Sequence, residues 1–220
     1  MLRSRLLEAS LVAAVVTFSA GYVYADDFSA RLSGFNEIGS IPTTVTVPAI
    51  PSVPSPALTV TTSYTGAILT DATGTLNLDL DTKNQMATYT LTFTGPFSSA
   101  VQQAHIHFGK SRDSGGIVVW LCQTAAKPAP ASVAAITPSC GTNLTPGAGV
   151  TVTVTGTFTA ANVLAVPGQN VPAGVFDAIA DAITSHTAYA NIHTANFPAG
   201  EIRGQIHPEE SDHNHDQNHQ

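Results

Sequence analysis

The sequence predicts an all-β fold, an antiparallel β-sandwich or Greek-key barrel with one short helix near the C-terminal third. Three observations predict it. Apolar and polar residues alternate with period two through most of the chain, only one stretch has helical period, and prolines cluster in the segments between.

Taken in order, Arg3 and Arg5 precede an uncharged, mostly apolar run, and Val23-Tyr24-Ala25 ends it with a small residue before Asp26-Asp27. This is the layout of a secretory signal peptide over 1–25, cleaved after Ala25. Residues 26–208 then make one β domain, a normal length for a single core. Phe28 to Phe35 reads as the first strand. Pro42 to Pro56 holds five prolines, so it is a loop or an edge segment. Leu76, Leu78 and Leu80 alternate with polar residues, as do Tyr89, Leu91 and Phe93, and Asp81 to Gln85 joins them as a polar turn. That is an antiparallel hairpin with one dry face. Ile117 to Cys122 is continuously apolar and suits a strand buried on both faces, which makes Trp120 a core residue. Ala125 to Pro146 reads as a loop, and Val150 to Thr159 as another strand. Val175, Phe176, Ile179, Ala182 and Ile183 recur at helical spacing within Ala173 to Ile183. The tail over 209–220 is polar and His-rich, and is expected to be disordered.

Charge narrows the partners. The chain carries 15 Asp and Glu against 8 Lys and Arg, a net of −7. Nucleic acid and anionic membranes need clustered cations, and the few basic residues here are scattered along the sequence. After signal cleavage no segment is long and apolar enough to span a bilayer. Cys122 and Cys140 are the only cysteines. In an oxidising compartment they are expected to pair and staple the Ala125–Pro146 loop.

Chemistry concentrates in two segments. One is Ala104-His105-Ile106-His107-Phe108-Gly109; the other runs from Tyr189 to His193 and on to Gly200-Glu201-Ile202-Arg203-Gly204-Gln205-Ile206. Side chains at i and i+2 share a strand face. Ile106, Ile192, Ile202 and Ile206 would therefore face the core. His105, His107, Asn191, His193, Glu201 and Arg203 would gather on one polar surface.

Arg31-Leu32-Ser33-Gly34-Phe35-Asn36-Glu37, His105-Ile106-His107, Asn191-Ile192-His193-Thr194 and Gly200-Glu201-Ile202-Arg203-Gly204-Gln205-Ile206 together resemble the conserved blocks of the CHRD (chordin-type) domain, in the right order over roughly 28–207. The resemblance implies an exported β domain, secreted, periplasmic or at the cell surface, and says little about activity.

The residues themselves offer two readings of the polar cluster. In the first, His105, His107 and His193 hold copper or zinc, imidazole being the usual ligand for both. Asn191, Glu201 or Arg203 would support the ligands from behind. A His-x-His strand with a later His and Arg is also similar to copper–zinc superoxide dismutase. The chain lacks a clear fourth copper His and the His-rich zinc loop, so dismutase chemistry does not carry over. In the second reading the cluster is a hydrogen-bonded network in a structural or adhesive domain. No nucleophile motif, phosphate-cradling glycine loop or paired carboxylate stands in context, which favours an extracellular binding module over an enzyme. An extracellular protein or a metal ion is the expected partner.

Overall fold

The computed structural model describes residues 26–47 and 58–209. The proposed signal peptide and all but Glu209 of the proposed disordered tail lie outside the described residues.

Alternation sets each strand's two faces, and hydrophobic burial decides which face turns in. The strands are β1 (Asp26–Ser33), β2 (Ser40–Val47), β3 (Leu58–Thr65), β4 (Thr73–Asp81), β5 (Met86–Thr94), β6 (Val101–Phe108), β7 (Gly116–Gln123), β8 (Thr151–Thr159), β9 (Ala188–Thr194), β10 (Ile202–Gln205) and β11 (His207–Pro208). One helix, α1, spans Phe176–Thr184. Eight strands form one path, β7-β6-β9-β10-β1-β4-β5-β8, with β11 also pairing β1. All pairings between these strands are antiparallel, and the sheet curls into a nearly closed barrel.

The expected hairpin is β4 and β5, with Leu78 opposite Tyr89 and Asp81 opposite Met86. Its turn is locked by Asp81, whose carboxylate accepts from the Asn84 backbone N–H at 2.9 Å and from the Asn84 amide. Leu76, Leu78, Leu80, Leu91 and Phe93 are all buried in one core with Phe28, Ile106, Val119, Leu121, Ile192 and Ile202.

Closure depends on a small residue. Tyr89 sits opposite Gly156 of β8. Its phenol passes over that glycine and donates to the Leu121 carbonyl of β7 at 2.6 Å. A Cβ at Gly156 would collide with the Tyr89 hydroxyl. Burial raises the Tyr89 pKa, so the hydroxyl remains a donor. The Leu164 N–H adds a bond to Val118 of β7 at 2.9 Å. Cys122 and Cys140 form the expected disulfide, which ties β7 to the loop before β8.

Helix α1 starts at Phe176, three residues later than its apolar period suggests. Phe176, Ile179, Ala180, Ala182 and Ile183 bury against the core, and Asp177 and Asp181 face water. The proline-rich stretch takes its edge alternative: Pro42 lies in β2, which pairs only with β3 as a separate two-stranded ribbon. Phe35 corrects the first strand's end. β1 stops at Ser33, a 3-10 turn covers Gly34–Asn36, and Phe35 is 73% exposed.

Candidate metal centre

Register builds the site. On β6 and β9, His105 lies opposite Asn191, His107 opposite Tyr189, and Gln103 opposite His193. Arg203 of β10 lies opposite Asn191 on the other side. Ile106, Ile192 and Ile202 alternate inward and are fully buried, as the sequence predicts. Two irregularities in the β6–β7 ladder set Trp120 opposite His105 and Ile117 opposite His107.

The polar face is not a surface. His105 is fully buried, and His107, His193, Asn191 and Arg203 are nearly so. Trp120 explains part of the cover. Rather than the main core, it belongs to a second apolar cluster with Ala129 and Val133, flanked by Ile117, Ala134 and Leu164. Its ring packs 4.3 Å from that of His105. The disulfide-tethered loop thus contributes to roofing the histidines, which spacing alone did not reveal.

The three imidazoles converge. Ring centroids are 5.5 Å apart for His105 and His107, 4.7 Å for His105 and His193, and 6.0 Å for His107 and His193. One nitrogen from each ring lies within 4.8 Å of the other two. Nδ1 of His107 donates to the Gly115 carbonyl at 2.9 Å, and Nδ1 of His193 to the Pro198 carbonyl at 2.9 Å. Carbonyls only accept, so these bonds fix both tautomers and leave each Nε2 a lone pair. Nε2 of His193 lies 3.0 Å from Nδ1 of His105 and 2.8 Å from Oδ1 of Asn191. Nε2 of His105 and Nε2 of His107 are buried without a partner.

Burial dominates the electrostatics. It pushes His107 and His193 down to about 4. His105 falls well below the usual imidazole range, first from burial and then from its two histidine neighbours. The rings are neutral at physiological pH, as ligation requires.

The surrounding residues divide. Asn191 lies against His193. Arg203 reaches the cluster indirectly: its guanidinium lies over the Tyr189 ring at 3.3 Å, and that ring stacks on His107 at 4.7 Å. Glu201 corrects the sequence reading. It precedes β10, so the alternation does not extend to it. Its carboxylate accepts from Thr70, from the Ser98 backbone and hydroxyl, and from Thr194, and touches no imidazole. Glu37 takes the place near Asn191 instead. One of its oxygens accepts from the Ile38 and Gly39 N–H groups at 3.0 and 3.1 Å. The other crowds Gly200 together with the Asn191 amide, where φ is +129° and no side chain would fit. Burial raises the Glu37 carboxyl above its ordinary range. Strand alternation does not tie Glu37 to the histidines, because it arrives from the far end of the domain; its one signal in the sequence is its place in the Arg31–Glu37 block of the CHRD resemblance.

The chain matches the family model of the CHRD domain over residues 28–206. It belongs to the CHRD domain family. Neither the curated proteins nor the solved structures compared with it gave a match. In this CHRD domain the matched region contains every residue of the histidine cluster and its cover. Among the described residues, no helix is long and apolar enough to cross a membrane.

Proposed function

We propose that this CHRD domain is an exported, extracytoplasmic binding module that holds one copper or zinc ion between His105, His107 and His193. A count of protons carries the reading. Three neutral imidazoles own three N–H groups, and two of these are committed to the Gly115 and Pro198 carbonyls. One hydrogen remains for His105. Facing it are the Nε2 lone pairs of His107 and His193, the second nitrogen of His105, and Oδ1 of Asn191, whose amide N–H groups are turned toward Glu37. Acceptors outnumber donors in a dry space, which costs free energy unless a cation supplies the missing positive charge. A tetrahedral ion at about 2.0–2.1 Å from each nitrogen wants the ligands a little over ~3 Å apart. Carbonyls behind Nδ1 are the usual supports of metal-bound histidines. The disulfide and the N-terminal Arg3–Ala25 pattern support export.

The hydrogen bond between His105 and His193 favours the competing reading, a structural or adhesive domain with a polar network. Metal content and thermal shift separate the two. The tail histidines His213, His215 and His219 are first replaced by alanine so that they cannot compete. One equivalent of copper or zinc should copurify or bind. A site formed only in the native state adds about 4 kcal/mol at ~1,000-fold excess over Kd. His105→Ala, His107→Ala and His193→Ala should each remove the bound ion. Absence of stoichiometric metal, with no shift in Tm, leaves the network reading standing.

A further inference from the structure

The chain is acidic, and beyond residue 25 it has only three arginines: Arg31, Arg112 and Arg203. All three line one cavity of about 650 Å³, with Ser29, Phe35, Asn36, Ile38, Ser111, Gln205 and His207, and no carboxylate among them. We infer that this cavity binds a small organic phosphate or sulfate carrying at least two anionic oxygens.

The fold assembles it from distant parts of the chain. Pairing of Ser29 with His207 and of Ser33 with Arg203 aligns β1 with β10 and β11. Alternation then turns Ser29 and Arg31 outward beside Arg203, Gln205 and His207, making the floor. The 3-10 turn after β1 brings Phe35, and the β6–β7 loop brings Ser111 and Arg112.

Arg203 is a fixed positive charge. It is 2% exposed, its guanidinium lies over the Tyr189 ring at 3.3 Å, and Nη2 donates to the Lys110 carbonyl at 2.8 Å. Glu37 and Asp113 attract its charge, but neither lines the cavity. Arg31 and Arg112 are exposed. A planar guanidinium presents paired N–H groups that match phosphate or sulfate oxygens two at a time. Phe35, 73% exposed, adds an apolar wall for the organic part of a ligand. The volume falls within the range of small-ligand sites, about 300–1,000 Å³. Three cations lining one cavity of an otherwise acidic chain make it the place where an anion is attracted.

The inference does not depend on a metal at the histidines, and its test keeps the two apart. Full-length protein is stripped of metal with 1,10-phenanthroline, dialysed, and titrated calorimetrically at low salt with pyrophosphate, sulfate and acetate. Pyrophosphate should bind 1:1, sulfate more weakly, and acetate at least about tenfold more weakly than pyrophosphate. Arg31→Ala and Arg112→Ala, both at exposed positions, should each weaken pyrophosphate by about tenfold or more while leaving circular dichroism, and the metal bound before stripping, unchanged. Lys83→Ala with Lys127→Ala, two cations outside the cavity, should leave it intact. No saturable pyrophosphate binding, equal binding by acetate, or equal loss in the lysine double variant would overturn the inference.

Discussion

Nδ1 of His105 lies 3.0 Å from Nε2 of His193, on two neighbouring strands whose pairing places these residues diagonally across the ladder. Only one proton, or one metal ion, can sit between two such nitrogens. Which of them does so decides how the domain responds to acid, to metal and to substitution.

Acid should destabilise the metal-free protein. An imidazole titrates at about 6.5 in an unfolded chain, whereas burial holds His107 and His193 near 4 in the fold. The unfolded state therefore binds more protons between these values. The histidine contribution is fully present above pH 6.5 and is lost as pH falls toward 4. Each ring accounts for on the order of 3 kcal/mol across that window. Glu37, with its pKa raised, acts with the opposite sign. Urea midpoints at pH 7.5 and 4.5 should fall in acid for the native sequence, and the fall should shrink in His107→Gln. An unchanged pH slope in that variant would contradict the assignment.

Trp120 should report on the histidines. It is the only tryptophan, and its ring packs 4.3 Å from His105. One equivalent of copper(II) should quench most of its fluorescence, while zinc should not. In His193→Ala the stoichiometric quench should disappear.

Barrel closure should fail by steric overlap. Gly156→Ala places a methyl group against the Tyr89 hydroxyl, which is held at 2.6 Å by Leu121. A cost of about 1–3 kcal/mol follows from overpacking. Tyr89→Phe, which removes only the hydrogen bond to Leu121, should cost about 1 kcal/mol. Equilibrium unfolding measures both.

Replacing both Cys122 and Cys140 with alanine opens a loop of 18 residues' separation. The entropy of loop closure alone sets a loss of about 3 kcal/mol. The same change should loosen the roof over His105, since the tethered loop carries Ala129 and Val133 beside Trp120. Hydrogen exchange in β6 should rise together with the loss of stability.

The fold was legible because alternation is local. Leu76, Leu78 and Leu80 announce their inward face within one strand, and Val175 to Ile183 announce α1 with only its first turn misjudged. The histidine cluster was legible for the same reason: His105 and His107 share a face, and His193 and Asn191 share another. Its burial was not legible. The cover comes from Trp120 and from the tethered loop, neither of which alternation connects to β6. Glu201 misled because it sits one residue before β10, where the chain turns and the i, i+2 rule no longer applies. The arginine-lined cavity was hidden too, since its cations are scattered in sequence and meet only through the β1–β10–β11 register.

X-ray absorption on the copper- or zinc-loaded protein, with the tail histidines replaced, tests the central claim most directly. A shell of three imidazole nitrogens, at about 2.0–2.1 Å for zinc, lost in His193→Ala, is the expected result. A shell of oxygen ligands, or an imidazole shell that persists in His193→Ala, would contradict it.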